Sequence, residues 1–219
     1  MDFPNFNFSV KSTTSRAPKS TEPELTVISG VKGKFKLNEA ASKQLYVKPG
    51  DYLVFVSNEA DVQQAIEEKN EAIMAWAEET GNDPKDYPVT WGICKGWVEK
   101  DKDGNPLKTK KPLTSAERDR LIEAGEVDDD GHAIAPEIDR VKGSRLSSKS
   151  PEARVGMILE GTDGNNWPLL RKSVDEDKHA VYSVSKEGTT IEVPNGSDVE
   201  EVTIYTISFD REEDKIVRG

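Results

Sequence analysis

Cysteine is nearly absent from this chain of 219 residues, which has only Cys94. That excludes an intramolecular disulfide and any multi-cysteine zinc site. Cys94 itself reads as a small buried apolar residue rather than a reactive thiol. Histidine is almost as scarce, with His132 and His179 far apart in sequence. No run nears the roughly 18 apolar residues of a membrane span. The N-terminus, MDFPNFNFSVKSTTSRAPKS, lacks the continuous apolar stretch of a secretion signal. The expectation is a soluble protein made in the cytosol, neither membrane-bound nor secreted.

The motifs of several enzyme classes are missing too. There is no Gly-x-Ser-x-Gly elbow, no P-loop and no dinucleotide fingerprint, so no cofactor is expected. Acid–base catalysis needs carboxylates or imidazoles with shifted pKa in a cleft. The carboxylates here lie mostly in runs such as EVDDD, VDED and REED, which belong to solvated surface. No constellation supports an enzyme.

Positive charge is in deficit. Asp and Glu number 41 against 30 Lys and Arg, a formal net charge of −11. That balance opposes strong nonspecific binding to phosphate backbones without excluding a local basic face. Hydrophobic residues make up 34% and charged residues 32%, so part of the chain is expected to be extended or solvated.

What is present reads as an α+β chain dominated by β-structure. Residues 1–24 form an extended arm dotted with Phe3, Phe6 and Phe8, too polar to build its own core. The even spacing of Phe6, Phe8 and Val10 suits a strand docking on a partner; a tail without fixed structure is the equal alternative. Residues 25–57 form a small β unit: LTVISG and KFKL as strands, NEAASKQL as a helical turn or two capped by Asn38, then a KPGD turn and the strand YLVFVS.

A middle region spans 58–142. It opens with a helix over 58–80, in which Val62, Ala65, Ile66, Ile73, Trp76 and Ala77 recur at helical spacing and Gly81 ends the run. A hairpin follows, from VTWGICKGWVEK through the turn DKDGNP to LKTKKPL. A second helix is expected near 115–124, capped by Thr114 or Ser115 and stopped by Gly125. Residues 143–153 read as a linker, and 154–219 as an antiparallel β domain. Within it VTIYTISF alternates apolar and polar residues, as a half-buried strand does.

The order Gly33, Phe35, Leu37, Leu45, Val47, Pro49-Gly50-Asp51, Leu53 and Phe55 resembles the swapped-hairpin domain of the AbrB, MazE and SpoVT transcription factors. The resemblance covers about 26 residues, Val31 to Val56. It departs from the family at Asn38, where proline is common. It implies a dimer whose hairpins share a core of Phe35, Leu37, Leu45, Val54 or Phe55, and Val56. It also implies DNA contacts from the early strands, where this chain offers Lys32, Lys34 and Lys36, with Lys43 and Lys48 nearby. Five lysines against two acids make the segment locally +3. Lysine meets phosphate as a point charge but reads guanine less well than arginine.

Over its whole length the chain resembles accessory virion proteins of tailed phages, such as decoration or minor capsid proteins. An aromatic-dotted arm, an acidic middle and a β-rich C-terminal part carry that likeness.

Three further stretches bear on chemistry. DKDGN at Asp101 resembles the start of a calcium loop, but Pro106 and Pro112 stand where the glycine and bidentate glutamate belong, so a hairpin turn is expected. DDDGH, Asp128 to His132, clusters carboxylates beside an imidazole and reads as a solvated acidic turn; no metal site is assigned. Trp91 and Trp97, six residues apart, share a strand face in this reading. They form either a core pair or, with nearby lysines, a stacking platform for single-stranded nucleic acid. Trp167 reads as an anchor for the C-terminal sheet.

The leading expectation is a homo-oligomeric assembly protein, a capsid accessory or decoration protein of the virion or host cytoplasm that binds a protein lattice through its arm. The alternatives are an AbrB-like DNA-binding regulator and an acidic single-strand binder.

Overall fold

A computed structural model describes residues 20–28, 33–150, 152–163 and 178–214. Phe3, Phe6, Phe8, Lys32 and Trp167 lie outside them. The chain is α+β and β-dominated, as its sequence indicates. In chain order the strands are β1 (Glu24–Val27), β2 (Lys34–Leu37), β3 (Tyr52–Ser57), β4 (Trp91–Lys95), β5 (Lys108–Lys110), β6 (Glu137–Asp139), β7 (Ser144–Arg145), β8 (Leu159–Thr162), β9 (Lys178–Val184), β10 (Thr189–Asn195) and β11 (Asp198–Asp214). The helices are α1 (Glu39–Gln44), α2 (Glu59–Glu67), α3 (Glu71–Thr80) and α4 (Ser115–Glu123).

Antiparallel pairing orders the main sheet β7-β3-β4-β11-β9-β1-β2-β8. Its two ends meet. Just beyond β7, Ser147 and Glu160 of β8 exchange two backbone hydrogen bonds of 2.8 Å. The sheet thereby closes as a barrel, so neither β7 nor β8 is left as a free end strand.

Alternation fills the barrel. Leu25, Val27, Phe35, Leu37, Leu53, Phe55, Ile93, Leu159, Tyr182, Val184 and Ile207 all point inward into one core. Phe35 and Phe55 meet edge-to-face at 5.2 Å, and Phe35 lies directly over Gly161, its register partner. A Cβ on Gly161 would stand 2.3 Å from the Phe35 ring, so only glycine admits the ring there. Each such side chain contributes about 1.5–3 kcal/mol by leaving water.

Helix α1 closes one end of the barrel. Asn38 caps it as expected, accepting from Ala41 N–H at 2.8 Å, and also accepts from Glu24 N–H at 3.1 Å. The residue standing where the swapped-hairpin family has proline therefore ties the helix start to β1. Ala41, Ser42, Leu45 and Val47 are buried beneath it. Ser42 Oγ donates to the Met157 carbonyl at 2.6 Å.

The apolar residues read as a core shared between two copies are covered by strands of their own chain. Phe35 and Leu37 retain no exposure, and Leu45 and Phe55 retain 5% each. Of the two options at 54 and 55, Phe55 faces the barrel interior. Val54 faces outward and packs with Cys94, Val202, Val56, Trp97, Val193 and Ile204 in a second, outer cluster. Residues 143–153, the expected linker, supply β7, the buried Leu146 and the closing contact at Ser147.

Two expectations need correction. The helix over 58–80 is two helices. The chain turns at Lys69, whose φ is +54°, and Asn70 recaps α3 by accepting from Ala72 N–H at 3.0 Å. The hairpin from 89 to 113 forms only around its turn: Leu107 N–H donates to the Glu99 carbonyl at 2.8 Å, after which β5 pairs with β6. β4 instead lies between β3 and β11 in the barrel. Local pattern favours neighbours in sequence, but the buried partners of a barrel strand come from anywhere in the chain.

β9 and β10 form, in effect, one interrupted strand along β11, turning back at Gly196–Ser197. The half of this long hairpin nearer its ends belongs to the barrel. The half nearer its tip, β10 with the start of β11, projects as a two-stranded ribbon. Its tip is held by Asn195, 4% exposed, which accepts from Lys100 N–H at 2.8 Å and donates to the Val98 carbonyl at 2.8 Å. Gly196, φ +70°, lets the ribbon touch the Asp101 turn: a Cβ there would fall 1.9 Å from the Asp101 carbonyl oxygen.

Candidate interaction surface

The lysines singled out by sequence occupy the outside of the barrel. Lys34 and Lys36 alternate with Phe35 and Leu37 on β2 and point away from the core. Lys34 Nζ pairs with Glu160 at 3.2 Å, and Lys36 stands opposite Glu160 in the β2–β8 register. The stem of Lys43 lies over Gly156. Lys48 is exposed at the KPGD turn, where its N–H donates to Asp51 Oδ2 at 3.0 Å. Lys36, Lys149 and Arg154 line a cleft of about 360 Å3, together with Glu39 and Glu160. The basic face is thus real but interleaved with acids.

Trp91 and Trp97 do not share a face. Trp91 packs against the barrel core, and Trp97 packs in the outer cluster with Val54, Cys94 and Val202. Strand alternation ends at Lys95. Gly96 donates its N–H to the Tyr52 carbonyl at 2.8 Å, and the chain changes phase there. The six-residue spacing therefore puts the two rings on opposite sides, and no two-tryptophan platform exists.

Cys94 has no exposure, and burial pushes its thiol up to about 12. The thiol stays protonated, as expected of an apolar filler. At the Asp101 turn, Oδ1 accepts from the N–H groups of Asp103 and Asn105, both at 2.9 Å, the geometry of a tight turn. Asp128, Asp130 and His132 bring their ligand atoms within 4.8 Å of one another, all exposed. Asp128 Oδ1 accepts from His132 N–H at 2.8 Å and from Asp130 N–H at 3.1 Å, so this cluster too is organised as a turn.

A further feature is one that sequence did not indicate. β4 and β11 are paired at Ile93–Tyr205, then diverge. They are drawn together again at the ribbon tip, where Asn195 reaches Val98 and Lys100. Between them lies a cleft of about 500 Å3, bordered by Tyr46, Trp97 and Tyr205 and by the charged residues Lys95, Lys100, Glu200 and Glu201.

Tyr46 stands at its rim, 73% exposed with φ +52°. The left-handed backbone at this position just past a helix usually belongs to glycine. Here it buries Leu45 and Val47 and turns the ring between them outward. Tyr46 N–H donates to the Lys43 carbonyl at 3.1 Å and Val47 N–H to the Ser42 carbonyl at 3.0 Å. A tyrosine held in a strained conformation and exposed to water is a hint of function. A helix stop occupied by tyrosine, in SKQLYV, is the one signal sequence offered.

The charges of the cleft do not cancel. Lys95 pairs with Asp51 at 3.3 Å and Lys100 with Asp198 at 2.7 Å. Glu200 and Glu201 form no ion pair among the described residues. Lys100 also feels Glu200, so with Asp51 and Asp198 counted, four carboxylates stand around two ammonium groups; the balance is negative, next to three aromatic rings.

A second cleft, also of about 500 Å3, opens on the outer face between Val56, Trp91, Gly92, Ile191 and Ile204. Among the described residues no helix is long and apolar enough to cross a membrane. No family model, no curated protein and no solved structure matches this chain.

Proposed function

We propose that this is an assembly protein: a homo-oligomeric accessory or decoration component of a protein lattice such as a phage capsid, carrying out no reaction of its own. The observation that carries the reading is the aromatic, net acidic cleft at one end of a closed barrel. Rings beside carboxylates suit peptide and basic side chains, and repel phosphate. The acidic balance of the chain and the aromatic residues of its arm, Phe3, Phe6 and Phe8, support the same reading. The virion or the host cytoplasm is the setting it implies.

A second reading rests on a different surface. Lys36, Lys149 and Arg154 border one cleft on the outside of β2, which favours a DNA-binding regulator of the swapped-hairpin kind. The single-strand reading loses its basis with the separation of Trp91 from Trp97.

Fluorescence anisotropy with labelled single- and double-stranded DNA across a salt series tests the choice, with Lys34→Glu/Lys36→Glu alongside. An assembly protein gives no binding even at low salt. Binding that falls steeply with salt and disappears in the double variant would sink the assembly reading in favour of the regulator.

A further inference from the structure

We infer that the cleft beneath Tyr46 receives the basic stretch of the N-terminal arm, Lys11 to Lys19, from a second copy of this chain. The inference rests on the assembly reading above and names the contact that joins the copies.

Charge is the first argument. Residues 1–19 hold Lys11, Arg16 and Lys19 against one acid, Asp2, a net charge of +2. The remainder of the chain is then −13. Residues 1–19 are thus a basic stretch of an acidic molecule, and only Glu22 and Glu24 at its end bring the full arm back to neutral. Asp51 and Asp198 reach Lys95 and Lys100 from outside the lining, and Glu200 shares the field of Lys100, so four carboxylates against two ammonium groups make the cleft net negative.

Chemistry is the second. A guanidinium or ammonium over the face of a tyrosine or tryptophan is attracted by the ring, more strongly as water leaves. Tyr46, Trp97 and Tyr205 provide such rings beside the carboxylates. Nine residues, Lys11 to Lys19, span at most about 30 Å when extended, enough to run through the cleft with more than one basic side chain inside.

The path of the chain is the third, and it points to a second copy. The arm joins the barrel on the β9 side of β11. Pro23 accepts from Val184 N–H at 2.9 Å, and Glu22 pairs with Lys186 at 2.9 Å. The cleft opens on the other side of β11, towards β4. Gln44 donates to the Ser185 carbonyl, and Tyr205 Oη donates to the Gln44 carbonyl at 3.5 Å. These contacts seal the barrel end between an arm and its own cleft. Followed back from β1, the chain runs along Ser185 and Lys186 on the β10 side of the ribbon, so β11 stands between it and its own molecule's cleft.

The test is self-association of the full chain, by sedimentation velocity over a concentration series. Two charge-reversed variants accompany it: the arm variant Lys11→Glu/Arg16→Glu/Lys19→Glu and the cleft variant Glu200→Lys/Glu201→Lys. Wild type is expected to associate, and less so as salt rises. Each variant alone is expected to be monomeric, and an equal mixture of the two to associate again, because each arm then meets a cleft of opposite sign. Tyr46→Gly keeps the backbone comfortable while removing the ring, and should weaken association about tenfold with no loss of thermal stability. A wild type that stays monomeric to its solubility limit overturns the inference. So does association that neither variant changes, or variants that fail to restore it when mixed. A monomeric wild type that also ignores DNA leaves assembly with a foreign partner standing; one that binds DNA removes both readings.

Discussion

β11 passes through two regions that differ in how its edges are used. From Tyr205 onward it has β4 on one side for three residues and β9 on the other, and Ile207 is buried. Before Tyr205 it has only β10, and Val199 is 59% exposed. The apolar residues change face between the two: Val202 and Ile204 pack in the outer cluster, Tyr205 and Ile207 with the barrel core. A strand's pattern therefore decides which side chains share a face, and the neighbours on its two edges decide whether that face is buried. The barrel is the region where β11 is flanked on both edges, at Ile207. The ribbon and its cleft are the region where edges and rings remain available.

The sharpest break of this contrast is in the barrel. Phe35→Ala removes a ring with no exposure, packed on Phe55 and Gly161. A loss of about 3–5 kcal/mol is expected in urea unfolding, because the barrel cannot collapse around the void. Cys94 gives an internal check. Its buried thiol should resist a thiol reagent in the native state, and the variant should label faster in proportion to its lost stability. A loss near zero would mean the interior is not packed as described.

Asn195→Ala attacks the other region. It leaves Lys100 N–H and the Val98 carbonyl without the amide that joins them to the ribbon tip. A cost of about 1–3 kcal/mol is expected for such unsatisfied groups. Hydrogen exchange should quicken at Lys100 and along β10 and leave β1, β2 and β8 unchanged. If the barrel amides quicken equally, the two regions unfold as one unit and the contrast fails.

How much of this was legible in the sequence follows from distance along the chain. The Asn38 cap and the Lys48–Asp51 turn depend on near neighbours, and both formed as read; VTIYTISF formed a strand, but its apolar residues change face between Ile204 and Tyr205. The start of α4 also formed as read. Thr114 accepts from Glu117 N–H, and Glu117 reaches back to Thr114 N–H at 2.9 Å. The break at Lys69–Asn70 was masked because apolar spacing resumes in phase after it. Barrel closure was beyond reach, since it pairs Leu25 with Tyr182 and Ser147 with Glu160. The cleft was equally hidden, because it exists only where two strands remote in sequence part. Even the tryptophan spacing misled, for a strand's period ends with the strand.

The α4 cap allows a smaller test, by pH. A hydrogen bond from Lys111, then those of Thr114, hold the Glu117 carboxyl down at about 2. A carboxylate with its folded pKa below the unfolded value stabilises above that unfolded value, near 4.5, and the contribution fades as pH falls towards 2. Exchange protection in α4 should therefore decline across that window ahead of the barrel. Glu117→Gln should remove the pH dependence. Carbon NMR of the Glu117 carboxyl with a midpoint near 4.5 would refute the arrangement.

The smallest effect on stability is the most informative about the open region. Tyr46 holds φ +52° with its ring in water. A residue with a Cβ in left-handed backbone costs roughly 1–2 kcal/mol, and an exposed ring recovers little of it within the monomer. Glycine removes that strain but brings more freedom to the unfolded chain. The two nearly cancel, so Tyr46→Gly should leave stability within about 1 kcal/mol of wild type, on the stabilising side. A larger loss would mean that the ring is part of the fold after all, and that the rim of the cleft belongs with the barrel. A neutral or stabilised variant means that the tyrosine does nothing for its own monomer. Its strain is then maintained for something outside it.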